Sequence, residues 1–192
     1  SLEPILPTAI LGSKALTMAG SQAQKAELLP KIVDGSLKIA VGFSEPTSRY
    51  DLKDVMTTAR TSSDGYVLEG IKNVVLGGNV SNKIIISART SSGPSHDPNG
   101  VTLFIVDTDA DGVSCEDYRL ADGRGGADIM LTGVKVSTDA VLGEVGKAYL
   151  IMERLWDIGA AFALGDSLGA FSRVNEITLD YLKVREQFGR PI

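Results

Sequence analysis

The segment VGFSEPTSRYD, residues 41–51, closes an apolar run with the hydroxyl of Ser44, the carboxylate of Glu45 and Pro46, then adds Arg49 and Tyr50. Residues of these types in this order suit two roles. They cap a turn, because serine bonds its own backbone and proline presets the bend. Or they make a ligand-facing loop at the end of a strand, where binding groups concentrate. Metal or thiol chemistry has little to build on. His96, in SSGPSHDPNG, is the one histidine and reads as a solvated loop residue. Cys115 is the one cysteine. One of each, far apart in the chain, makes neither a zinc site nor a Cys–His pair.

The elements that must position the 41–51 segment fall into three patterns. Residues 1–35 read as helical. Ser21 and Gln24 form a capping box in SQAQKAELL, Pro30 limits that helix, and Asp34-Gly35 marks a turn. Residues 36–145 read as short strands: LKIAVGF, VMTTAR and YVLEG around TSSDG, NVVLG, KIIISAR, VTLFIVD, GVSCEDY and DIMLTGVKV. No long helical pattern separates them, so an antiparallel barrel or sandwich is expected rather than βαβ units. From residue 146 to 192 apolar residues return at helical spacing, among them Leu164, Leu168, Phe171 and Leu182. Gly165 and Gly169, four apart, permit close helix packing, and Gly189 is a helix-ending signal. The fold class expected is α+β, a β domain flanked by helices. A helical piece, a β domain and one or two long helices suggest a segment of a longer protein.

Composition narrows the function. Hydrophobic residues make up 43% of the 192, enough for a core. The net charge of −5 lacks the basic footprint of a nucleic-acid binder and any polybasic patch for anionic lipid. A single cysteine allows no internal disulfide, which points to a reducing, cytoplasmic setting. The N-terminal SLEPILPTAILGSK lacks the basic region of a signal peptide. The apolar run 158–171 is too short to span a bilayer and is broken by Asp166.

Three motifs in this order resemble the acyl-CoA dehydrogenase family over essentially the whole chain. GSQAQKAELLPKIVDGSLKIAVGFSEP looks like the family's approach to its middle β domain, with Ser-Glu-Pro at the hallmark. VLGEVGKAYLIMERL resembles the exit from that domain, and YLKVREQFGRPI the signature that ends the long dimer helix. The resemblance implies the end of an N-terminal helical domain (1–35), a middle β domain (36–145) and the first long helices of a C-terminal helical domain (146–192). It implies FAD and an acyl-CoA substrate. The reaction is removal of two hydrogens across Cα–Cβ, with a glutamate as base and FAD as hydride acceptor. It further implies a homo- or hetero-oligomer built as a dimer of dimers, a role in fatty acid metabolism, and an electron-transfer flavoprotein as acceptor.

Residue by residue, the resemblance sets Val41 and Phe43 along the flavin edge and Ser44 as a donor to the flavin ring. Arg185 and Gln187 match positions that reach the FAD diphosphate and adenine of a neighbouring subunit, a contact suited to a bidentate guanidinium. Val74 and Leu76 fall where the family has a tryptophan and a threonine against the flavin; both can pack, neither can donate. Tyr50 replaces a serine that contacts the CoA arm, and Asp157 is retained near the CoA site. Ala160 stands where many members carry an arginine, and Gly159 where some relatives carry the catalytic glutamate. No catalytic base is assigned, and the usual glutamate is expected beyond Ile192.

These departures cluster on flavin-ring and CoA positions, so a non-catalytic or site-sharing subunit of a hetero-oligomeric acyl-CoA dehydrogenase is the main alternative. Monooxygenase or nitroalkane-oxidising relatives of the same fold, and a plain interaction module, are further readings. Trp156 and Tyr149 read as core packing, and Arg124 in ADGRGGAD as part of a β-domain turn.

Overall fold

A computed structural model describes residues 4–48 and 50–192. It separates into two units, Ser1–Trp156 and Asp157–Ile192.

In the first unit a π-helical run, Ile5–Gly12, leads into α1 (Ser13–Ala19) and α2 (Gln22–Val33). The capping box forms: Ser21 Oγ accepts from the Gln24 amide at 3.1 Å, and Gln24 Oε1 accepts from the Ser21 amide at 2.9 Å. Gln24 Nε2 then donates to the carbonyls of Asp139 and Val141, so the cap also ties the helix to the sheet. Pro30 does not end α2. The helix runs three residues further, to Val33, and stops where Gly35 takes φ 80°. The π-helical run is held against the first strand by Thr8, whose hydroxyl donates to the Ile39 carbonyl at 3.0 Å and accepts its amide at 3.2 Å.

The strands are β1 (Ile39–Gly42), β2 (Thr58–Ser62), β3 (Gly65–Leu76), β4 (Lys83–Arg89), β5 (Val101–Asp107), β6 (Val113–Arg119), β7 (Gly125–Ser137) and β8 (Val141–Leu142). They form one sheet in the order β6-β7-β3-β2-β4-β5-β8, with β1 beside β4. Two expectations are corrected. The sheet is mixed: β1 pairs with β4 in parallel, as does β2 at Thr58↔Arg89. It is also open, ending in β6 and β8, so it is no closed barrel. Strand patterning reports burial, not the direction of the neighbour, and an alternating run fits either pairing.

β4 is buried on both faces and divides two cores. Ile85 packs with Ala15, Leu16, Leu103, Met152 and Leu155. Ile84, Ile86 and Ala88 face the other way, among Leu68, Val75, Phe104, Ile129 and Val134. Each fully buried isoleucine contributes about 1.5–3 kcal/mol by removal from water. Tyr66 meets Phe104 edge to face with ring centroids 5.1 Å apart.

A third helix, α3 (Tyr149–Val184), begins in the first unit, where Met152 and Leu155 are its buried residues. In the second unit it carries exposed Leu164, Leu168, Phe171, Val174 and Ile177. Gly165 and Gly169 face open space. The helix ends at Val184, and Gly189 sits instead in the turn of a short hairpin, β9 (Glu186–Gln187) with β10 (Arg190–Pro191). Phe188 and Gly189 both take positive φ, 54° and 75°, as a tight two-residue hairpin turn demands.

Candidate functional site

The acid at the end of β1 is a structural group. Glu45 is 4% exposed and Lys72, on β3, is fully buried. Lys72 Nζ lies 2.6 Å from Glu45 Oε1 and 2.9 Å from Ser87 Oγ on β4. The carboxylate also accepts the Met56 amide at 2.7 Å and the Thr57 amide at 3.1 Å. Burial pushes the Lys72 ammonium below its ordinary range, and the Glu45 charge opposes that. Ser48 Oγ completes the turn, accepting the Glu45 amide and donating to its carbonyl. Glu45 therefore ties the β1 exit to the loop before β2 and, through Lys72, to β3 and β4, and its burial in this ion pair makes it a poor base for a substrate proton.

That tie brings two predicted stretches side by side. Gly42 lies against Val75 and Lys72: a Cβ there would come within 3.1 Å of Val75 Cγ2. The Asn73 amide donates to the Ser44 carbonyl at 3.0 Å. Phe43 is buried in the helix-side core, while Val41 and Ser44 are half-buried. The Ser44 hydroxyl and amide make no hydrogen bond to any described residue. Asn73 Oδ1 is buried with no partner among the described residues. The Ser44 hydroxyl and amide are thus two unspent donors at this edge, of the kind that acceptor atoms of a heteroaromatic ring would use, while Asn73 Oδ1 is sealed from solvent.

The end of β3 is irregular. Val74 takes φ 52°, a left-handed conformation that a β-branched residue avoids, and its side chain is half exposed. Its amide donates to Asp128 Oδ1 at 2.9 Å and to Tyr118 Oη at 3.1 Å. Tyr118 Oη donates to the same Asp128 oxygen at 2.6 Å. Burial and the Asp128 carboxylate push the Tyr118 phenol up to about 12. Leu76, half-buried, lines a small groove of about 80 Å³ with Pro4, Pro7, Asn79, Val80 and Arg124. Arg124 lies in the β6–β7 turn and pairs with Asp122 at 2.6 Å.

Tyr50 is 83% exposed at φ 75°, and its neighbour Arg49 lies outside the described residues. Asp157, Arg185 and Gln187 belong to the second unit and are exposed. His96 is exposed in its loop, as expected. Trp156 is 45% exposed, so it is no core residue. Tyr149 bonds Glu153 at 2.6 Å. Sequence reasoning missed Lys72, Asn73, Tyr118, Asp128 and Arg89. The guanidinium of Arg89 spends all five N–H donors on backbone carbonyls of Lys53, Val55, Ser95, Asp97 and Asn99, fastening the 91–100 loop. A charged residue inside an otherwise apolar strand was the available signal for Lys72 and Arg89. Among the described residues, no group of three or more His, Cys, Asp or Glu side chains is placed to hold a metal ion, and no helix is long and apolar enough to cross a membrane.

The acyl-CoA dehydrogenase middle-domain family matches residues 40–138, just over half of the chain and all of the edge described above. The chain belongs to the acyl-CoA dehydrogenase family. A 3-(aryl)acrylate reductase of Clostridium sporogenes is 33% identical over 189 residues, covering 97% of this chain and 49% of that protein. The caffeyl-CoA reductase–Etf complex subunit CarC of Acetobacterium woodii is 29% identical, with 97% and 49% covered. Butyryl-CoA dehydrogenase from Megasphaera elsdenii superposes with a TM-score of 0.91 at 27% identity, over 97% of this chain and 49% of that one. The chain spans about half the length of the curated relatives it matches. The acyl-CoA dehydrogenase-like fold, α+β with flanking helices, is therefore shared with enzymes named for both oxidation and reduction.

Proposed function

We propose that this chain is the central part of an FAD-dependent enzyme of acyl-CoA dehydrogenase type, acting on the Cα–Cβ bond of an acyl-CoA thioester. One observation carries the reading. The Val41–Ser44 edge lies against Lys72–Leu76, pinned by a buried ion pair, with Ser44 donors and the Asn73 acceptor unpartnered at the junction. When bound there, FAD supplies the hydride transfer at Cβ. Ser44 would donate to its ring, Val41 and Phe43 would line its edge, and Val74 and Leu76 would pack on it. Arg185 and Gln187 would hold the diphosphate and adenine of a neighbouring subunit's FAD. Tyr50 and Asp157 would face the CoA arm. No base is assigned among these residues.

The domain reading follows the family: 1–35 closes an N-terminal helical domain, 36–145 is the middle domain, and 146–192 opens the C-terminal helical domain. The exposed apolar residues of α3 fit burial against further helices of such a domain and against other subunits of an oligomer. The direction of the reaction is open to either sense, since relatives are named as reductases and as dehydrogenases. An electron-transfer flavoprotein is the redox partner this reading favours, by analogy with the Etf-complex relative. A cytoplasmic setting fits the single cysteine.

A second reading is favoured by Leu76, which cannot donate, and by the bulk of Tyr50, beside the retained Arg185. In it the chain is a site-sharing subunit and Arg185 works on a partner's FAD. Flavin absorbance of the full-length protein, purified alone and with any co-purifying chain, separates the two. One FAD per chain alone supports the first. Flavin only in the complex supports the second. No flavin in either sinks both.

A further inference from the structure

Asn73 and Val74 are two residues standing opposite one. β3 and β7 pair Lys72 with Ile129 and then Val75 with Ala127, which leaves only Asp128 across from the pair. This is a β-bulge, a device that re-aims side chains beside functional sites. The residue opposite the bulge is the one whose carboxylate takes the bulged amide. One strand further, Tyr118 pairs with Gly126, and Gly126 pairs with Leu76. Gly126 leaves the tyrosine ring its room, because a Cβ there would lie 3.2 Å from Tyr118 Cε2. The ring so placed reaches Val74 with its hydroxyl. Three strands thus converge on one peptide amide.

The geometry points to Tyr118 and Asp128 as positioning residues: a clamp on the Val74 amide that holds the bulge in its left-handed turn and so fixes the flavin-facing set of Val74 and Leu76. The inference rests on the FAD reading above. A β-branched residue at positive φ persists only when its surroundings over-determine it. Here the over-determination has two named sources, a carboxylate and a phenol that share one proton-rich corner with the amide. Neither side chain is spent elsewhere on the fold's core, and Val74 itself is half exposed. The strain therefore serves the orientation of the exposed end of β3, not its burial.

The test uses the full-length protein with Tyr118→Phe, Asp128→Ala, Val74→Gly and the double variant Tyr118→Phe/Val74→Gly. The first readout is exchange of the Val74 amide in flavin-free protein. The clamp predicts exchange faster by about 5-fold in Tyr118→Phe, which loses a neutral acceptor, and by about 10-fold or more in Asp128→Ala, which loses the charged one. The second readout is FAD affinity and the shape of the flavin absorbance band. Tyr118→Phe should weaken FAD by about 10-fold and shift the band. Glycine adopts positive φ unaided, but Val74→Gly also removes a side chain that would pack on the flavin, so the comparison is with Val74→Gly alone: Tyr118→Phe should cost much less FAD affinity in the Val74→Gly background than in wild type. Unchanged Val74 exchange overturns the clamp. So does FAD binding by Tyr118→Phe with wild-type affinity and spectrum, or a Tyr118→Phe loss that is equally large in the Val74→Gly background. A wild-type protein that takes up no FAD removes the FAD reading instead, and the exchange result then still decides whether the clamp exists.

Discussion

Replacing Lys72 by methionine should unfold this domain more readily than any other single polar substitution in it. Methionine keeps the stem volume and removes the ammonium. Glu45, with its side chain 2% exposed, would then keep only the Met56 and Thr57 amides as partners. Removing one member of a buried pair costs about 3–5 kcal/mol, because the remaining charge is left desolvated and unpaired. Glu45→Gln should cost a similar amount by stranding Lys72. Its cost should also depend on pH. Burial already pushes Lys72 down, and the opposing carboxylate would be gone. A lysine depressed in the folded state binds fewer protons there than when unfolded, so stability is lost as pH falls from the unfolded value of about 10.4 toward the depressed value and is level below it. Glu45→Gln should therefore be closer to wild type at alkaline than at neutral pH. The double variant Glu45→Gln/Lys72→Met removes both charges, keeps an amide oxygen for the buried Thr57 N–H, and should recover part of the loss, since removing both members of a buried pair leaves no charge unpaired. Urea denaturation of the four proteins closes the cycle. Single-variant losses below about 1 kcal/mol, the range of exposed pairs, would refute the reasoning and mean that water reaches the pair.

Tyr118 should titrate late. Phenolate absorbance should show one tyrosine ionising near 12, missing in Tyr118→Phe. Because the native state keeps that proton where the unfolded chain loses it, stability should fall as pH rises from about 10 toward 12. Arg89→Lys keeps the charge but loses the planar fork that binds five carbonyls, and should cost about 2–4 kcal/mol and expose the 91–100 loop to proteolysis. Ser44→Ala should leave urea stability within about 0.5 kcal/mol of wild type, since Ser44 bonds nothing among the described residues through its side chain. The same variant should weaken FAD by about 10-fold in a flavin titration.

Much of the scaffold was legible because local signals agreed. Ser21 and Gln24 announce a capping box and form one, and the short apolar runs in KIIISAR and VTLFIVD mark strands that prove buried. The misses share a cause. Pro30 and Gly189 are read as stops by type, yet context lets the helix pass Pro30 and places Gly189 in a hairpin. Parallel pairing of β1 with β4 is a non-local fact, and so is the mate of a buried charge. Nothing near Glu45 in the sequence names Lys72, 27 positions on. Tyr118 and Asp128 looked like ordinary strand residues, because their meaning depends on a bulge in another strand.

On the FAD reading proposed above, the same contacts would explain how Val74 and Leu76 can differ from the family's tryptophan and threonine without dismantling the site. What positions the end of β3 is not the side chains at 74 and 76. On one side it is Lys72, locked to Glu45 and Ser87, with the Asn73 amide on the Ser44 carbonyl. On the other it is the Val74 amide, held by Asp128 and Tyr118. Both anchors act on backbone or on the strand's buried face. The outward side chains at 74 and 76 are therefore free to change the electronics and shape offered to a cofactor while the peptide that carries them stays put. On that reading, loss of a donor at Leu76 would be a change of function at constant geometry. It should appear in flavin potential or reaction direction before it appears in stability.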